Sequence, residues 1–138
     1  MGMSEEEKDE KELKLEGVGS DETVLCAASS YDQKYYLNPL FSKLPQEIKD
    51  DLKIVSVMFV EDNGGIFLMK FDRNRKLVMM TEAKESDYNY DDIGVGMSIR
   101  AIQKKRARML QEITLYYRAV ICGETLEQIE KEVEEDFE

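Results

Sequence analysis

The fold turns on how 44-LPQEIKDDLKIVSVMFVEDNGG-65 is read. Leu44, Ile48, Leu52, Val55 and Phe59 recur at spacings of four, four, three and four, the stripe of a helix with one buried face. Pro45 suits a first helical position, Glu47 complements the positive N-terminal end, and Asn63-Gly64-Gly65 supplies a stop. A strand competes for the same residues. The run 54-IVSVMFV-60 is rich in β-branched side chains, and Asn63-Gly64 has the chemistry of a hairpin turn. The apolar stripe begins ten residues before that run, which favours the helix.

Working outward, 22-ETVLCAASSYDQKYYL-37 reads as two short strands about a turn at 29–32. On the other side, 66-IFLMKFD-72 and 77-LVMMTEA-83 flank the polar loop 72–76, a clear hairpin. Both of its faces are apolar: Phe67, Met69 and Phe71 alternate with Ile66 and Leu68, and Leu77 and Met79 with Val78 and Met80. A hairpin wet on one face would alternate with polar residues instead. This one needs cover on both sides, from helices of its own chain or from a second copy. Farther on, Ile99, Ile102, Met109, Leu110, Ile113, Tyr116, Tyr117 and Val120 mark one face of a long helix interrupted at Arg106 and stopped by Gly123. Thr125 and Gln128 form a capping box, with Leu126, Ile129, Val133 and Phe137 along one face of a last acidic helix. The expected order is β-β-α-β-β-α-α, an α+β fold. Residues 1–21 read as an acidic mobile tail, 22–123 as one domain, and 124–138 as an acidic helix or tail.

Charge divides along the same lines. Residues 1–22 carry net −6 and residues 124–138 net −7, around a body of net +2. Acidic ends repel nucleic acid and anionic membrane. No apolar run approaches the roughly 20 residues of a membrane span, no signal-peptide pattern opens the chain, and Glu6 breaks the myristoylation pattern. The expected compartment is the cytoplasm. There are no histidines, which removes the usual general base and the commonest transition-metal ligand. Cys26 and Cys122 sit in apolar runs and read as reduced, buried thiols.

The stretch 85-ESDYNYDDIGVG-96 approaches a calcium loop and fails it. Asp87, Asn89 and Asp91 fit ligand positions 1, 3 and 5, but position 6 is Asp92 instead of glycine and position 12 is Ser98 instead of Glu. A looser divalent-metal cluster from Glu82, Glu85, Asp87, Asp91 and Asp92, with Asp87, Asp91 and Asp92 the candidate ligands, competes with a plainer reading, in which Asp91 and Asp92 cap a helical turn. Tyr88 and Tyr90 read as lids on the core. Tyr31 and Lys34 miss the reductase spacing of four, 17-GVGSDE-22 lacks a third glycine, and no nucleophile–base pair stands out. The strongest local charge is Arg100, Lys104, Lys105, Arg106 and Arg108, without the interleaved aromatics that stack on bases. It reads as a solvated face or a dock for an acidic tail or partner. Met58, Met69, Met79, Met80, Met97 and Met109 read as core filler.

Four stretches, 31-YDQKYYLNPLFSKLPQEI-48, 61-EDNGGI-66, 87-DYNYDDIG-94 and 116-YYRAVICGE-124, resemble a family of small cytosolic proteins from clostridia-type bacteria catalogued as a domain of unknown function. The resemblance covers roughly 23–124 and implies a compact bacterial domain; it implies no activity, cofactor or catalytic residue. Together these readings give a non-enzymatic protein-interaction or regulatory domain without a cofactor, dimeric through the two-faced hairpin or bound to another protein. Arg100, Lys104, Lys105 and Arg108 are the candidate partner surface. The alternative is a small-ligand or divalent-metal site built from Tyr31, Tyr35, Tyr88 and the acidic 82–92 segment.

Overall fold

The computed structural model describes Gly19 and residues 21–136, with side chains as far as Glu132. The expected N-terminal tail and the Val133 and Phe137 side chains of the last apolar face lie outside the described residues. The stretch 44–65 folds as a helix over Gln46–Asn63. Strand β1 (Thr23–Ser29) turns into β2 (Lys34–Leu37), a short 3-10 turn follows at Pro39–Phe41, and α1 spans Gln46–Asn63. The hairpin β3 (Ile66–Phe71) and β4 (Leu77–Glu82) comes next, then α2 (Asp92–Lys105), α3 (Ala107–Tyr116), a π-helical turn at Tyr117–Ile121, and α4 (Leu126–Asp136). The fold is α+β, with one antiparallel sheet in the order β2-β1-β3-β4.

Pro45 stands just before the helix instead of inside it, and the expected stripe is the buried one: Leu44, Leu52, Val55 and Phe59 all pack in the core. They meet Cys26 and Ala28 of β1 and Phe67, Met69 and Phe71 of β3, with Val95 of α2 and Ile113 of α3 closing the layer. Leu25 and Cys26 both join this core because a bulge interrupts the β1–β3 register between Val24 and Cys26. Asn38 holds that bulge. Its side chain donates to the Val24 carbonyl at 2.7 Å, its backbone N–H donates to Leu25 at 3.0 Å, and its side-chain oxygen accepts from Leu40.

The sheet has a second buried cluster on its other face, made of Val24, Ala27, Tyr36 and Leu68 with Met80 against them. The central strand β3 is thus buried on both faces, as its apolar run Ile66–Met69 requires.

One end of the sheet is closed by rings and ions. Phe71 and Tyr117 stack with centroids 4.0 Å apart, Phe41 stacks on both, and the Tyr117 hydroxyl lies 3.2 Å from Thr23 Oγ1. Next along the π turn, the buried Arg118 donates from Nε and Nη2 to the two Glu124 oxygens, each at 2.8 Å, and from Nη2 to Glu132. Arg75, from the β3–β4 turn, reaches the same Glu124 at 2.9 Å. These hydrogen bonds, those from Arg118 above all, hold the Glu124 carboxyl below the usual carboxylate range.

Several local expectations meet the structure directly. The long helix breaks at Arg106, whose φ of −111° and ψ of 19° leave the helical region, and whose guanidinium pairs with Asp51 of α1 at 3.2 Å. Gly123 has φ +72°. Thr125 and Gln128 make both bonds of the capping box, at 3.0 and 3.3 Å. Three expectations need correction. Cys122 is exposed, because the chain leaves the core through the wide π turn just before it. Met58 and Met97 are exposed as well, since each falls off the buried side of its helix. Tyr88 is 93% exposed and lids no core; only Tyr90 packs inward, donating to Thr81 Oγ1 at 2.7 Å.

Candidate functional site

The end of the sheet opposite the Arg118 lock stays open. There the β1–β2 turn, the second half of α1 and the β4–α2 loop surround a cleft of about 820 Å3. Its walls carry both signs of charge: Lys34 and Lys53, against Glu61, Asp62 and Asp87. The positions on α1 follow from helical spacing, since Lys53, Val57, Val60 and Glu61 lie at i, i+4, i+7 and i+8, a stripe beside the core one.

A glycine corner brings the far loop in. Gly64 and Gly65 have φ of +76° and +78°. A β-carbon on Gly65 would lie 2.5 Å from the Glu82 carbonyl oxygen and 3.2 Å from the Tyr90 ring; on Gly64 it would lie 3.2 Å from the Asp87 carboxylate. The Gly65 carbonyl also accepts from Ser30 N–H at 2.9 Å, tying the β1–β2 turn to this corner. Only residues without side chains let three segments meet so closely.

Tyr31 then pins the loop. Its hydroxyl donates to Asp87 Oδ2 at 2.8 Å and accepts from Lys84 N–H at 3.0 Å, while the Lys84 ammonium sits 4.5 Å from its ring centre. Desolvation, more than the Asp87 charge, pushes the Tyr31 hydroxyl pKa up. Asn63 faces α2, donating to Ser98 at 3.1 Å and to the Phe59 carbonyl at 3.0 Å. The Tyr35 hydroxyl is buried beside the Cys26 thiol, and burial raises both pKa values, that of Cys26 to about 12. Cys26 lies 3.7 Å from Ser56 Oγ. Near neutral pH this thiol and both tyrosine hydroxyls keep their protons, so none supplies a ready nucleophile.

Of the residues singled out in the sequence, Lys34, Tyr35, Asp87 and Asn89 line the cleft and Tyr31 stands behind Asp87. Tyr88 does not reach it. Asp91 caps α2 by accepting from Ile93 N–H at 3.1 Å, and Asp92 is the exposed first residue of that helix. Asp91 and Asp92 therefore belong to the start of α2 and Asp87 to the loop pinned by Tyr31, and among the described residues no group of three or more metal-ligating side chains stands together. Arg100, Lys104, Lys105 and Arg108 are exposed on α2 and α3 and do not line the cleft. Arg100 leans on the Gly96 carbonyl and Arg108 on Glu112. Sequence reasoning missed Lys53, Glu61 and Asp62. Their one signal was a charged stripe leading into the Gly-Gly stop.

Three of the four stretches that carry the family resemblance contribute to this cleft or its loop, and the fourth builds the Arg118 lock. A family model, described as a family of unknown function (DUF6145), matches residues 22–125. No curated protein and no solved structure matches the chain. Among the described residues, no helix is long and apolar enough to cross a membrane.

Proposed function

Because the chain belongs to this family of unknown function, its role must come from its own geometry, and we propose that it is a non-enzymatic binding domain of a bacterial cytosolic protein, whose cleft takes a small polar ligand bearing both an amine and an acid group. One observation carries this reading: three separated segments bring cations and carboxylates around a single open cleft of about 820 Å3. That volume falls in the range of small-molecule sites, roughly 300–1,000 Å3. Lys34 and Lys53 complement an acid, and Glu61, Asp62 and Asp87 an amine. The protonated Cys26 thiol and the absence of histidine support binding without chemistry.

A ligand of the native state raises the melting temperature. A thermal-shift screen over α-amino acids, short peptides, dicarboxylates, polyamines and divalent metals is expected to select zwitterions. Asp87→Asn and Lys53→Ala each remove the shift. A shift that survives both substitutions puts the ligand elsewhere, and a shift with metal alone revives the divalent-ion alternative.

A second reading, a protein-interaction domain, draws on α2. Ile93 and Met97 are exposed one turn apart, and the same side of the helix continues into Arg100 and Lys104. An apolar start followed by cations fits an acidic amphipathic partner, or a second copy meeting this helix and not the hairpin. Sedimentation of the wild type and of I93S/M97S tests it: self-association lost in the variant supports the dimer, and a monomeric wild type removes it.

A further inference from the structure

The charges of the cleft are sorted along its length, and their order limits the size of what it can hold. Lys53 and Glu61 stand more than two turns apart on α1, about 12 Å along its axis. Val57 and Val60 line the cleft between them, together with Tyr35 of β2. A cation, an apolar strip and an acid therefore follow one another along the helix.

The acid end is the more strongly built of the two. Glu61 and Asp62 stand in the last turn of α1, which carries no basic residue, so they add to the negative C-terminal end of the helix. Asp87 joins them from the far loop. Its Oδ2 lies 3.2 Å from where a β-carbon on Gly64 would stand, and the Tyr31 hydroxyl fixes it there at 2.8 Å while the carboxylate keeps further acceptor sites. Lys34 belongs to this end too, since it and Ile66 both pair with Ser29 in the row next to Gly65. Three acids against that one lysine leave the end negative, a place for an ammonium group. Lys53 is the lining cation at the other end, a place for a carboxylate.

These ends are too far apart for a single α-amino acid, whose amine and carboxylate are about 3 Å from each other. An extended peptide spans about 3.5 Å per residue, so about three residues bridge the gap. The walls also offer what peptide bonds require. Gln33 on the β1–β2 turn and Asn89 on the β4–α2 loop each bring an amide, donor and acceptor at once. Resting on the reading of a zwitterion-binding cleft, we infer that its ligand is a free peptide of about three residues lying along α1. The amino terminus sits among Glu61, Asp62 and Asp87, the carboxylate on Lys53, and an apolar central side chain on Val57 and Val60.

Titration calorimetry on the full chain compares leucine with alanyl-leucyl-alanine, and that tripeptide with its N-acetylated and C-amidated forms. The tripeptide is expected to bind at least about tenfold more tightly than leucine, and either cap to weaken it about tenfold. Backbone amide spectra of the protein saturated with each form then place the two ends. Against the free tripeptide, acetylation should move the resonances of Asp62, Gly64 and Asn89, and amidation those around Lys53. Leucine binding as tightly as the tripeptide overturns the peptide assignment and leaves the zwitterion reading standing. Binding by neither overturns both. Caps that cost nothing, or that move the opposite ends, overturn the assignment of the termini and the inference with it.

Discussion

The two ends of the sheet are built on opposite principles. At one end Phe41, Phe71 and Tyr117 stack in a closed cluster, and Arg118 satisfies its guanidinium on Glu124 and Glu132. At the other, Lys53, Glu61 and Asp62 stay exposed around a cleft, and two glycines hold the walls together. Polar groups at the closed end meet one another; several at the open end face solvent. Exposed charges on a concave surface gain little for the fold, so their position is better explained by what enters the cleft.

Substitutions can break or sharpen this contrast. The largest effect is expected from Phe71→Ala, which removes a fully buried ring from the stack: about 4 kcal/mol of stability by chemical denaturation. Ligand-induced stabilisation should persist in the protein that still folds. Arg118→Met comes next, at about 2 kcal/mol, because it strands the half-buried Glu124 carboxylate with only Arg75. Its cost also depends on pH. Glu124 has a folded pKa below its ordinary value near 4.5, so its contribution is fully present above that value and lost as pH falls through the depressed one. The gap between wild type and Arg118→Met should therefore narrow below about pH 4.5; a gap that widens in acid contradicts the assigned cause.

The glycines give a matched pair across the two ends. Gly65 and Gly123 both have positive φ, yet a β-carbon would strike the Glu82 carbonyl at Gly65 and meet nothing within 4 Å at Gly123. Gly65→Ala is expected to cost at least about 2 kcal/mol, conformation and clash together, and to weaken ligand binding by shifting the 83–91 loop. Gly123→Ala should cost about 1 kcal/mol and leave binding alone. Equal costs would mean that the close approach at Gly65 relaxes freely. The smallest stability change is expected at Asp87→Asn, under about 1 kcal/mol, because an amide oxygen still accepts from the Tyr31 hydroxyl. Its effect on ligand binding should nevertheless be the largest of the set.

What the sequence made legible was local. The stripe from Leu44 to Phe59, the Gly-Gly stop, the capping box at Thr125 and the break at Arg106 each depend on neighbours within a turn or two. What it hid was set by contacts across the chain. The β1–β3 pairing joins Ala28 to Phe67, the bulge depends on Asn38, and Tyr31 meets Asp87 across 56 positions. Lys53 and Glu61 were passed over, because nothing near them in sequence shows that a turn and a loop stand opposite. Tyr88 misled for the reverse reason: an aromatic beside glycines resembles a lid, but the loop tightens on Tyr90 and turns Tyr88 out.

The central claim is that the open end binds a polar ligand carrying charges of both signs. A titration of the full chain with the strongest thermal-shift hit, followed through backbone amide resonances, tests it most directly. The account predicts saturable shifts concentrated at Ser30, Gln33, Asn63, Gly64 and Asn89, abolished in Asp87→Asn. Shifts confined to Arg100–Arg108, or shifts at the cleft that survive Asp87→Asn unchanged, would contradict it.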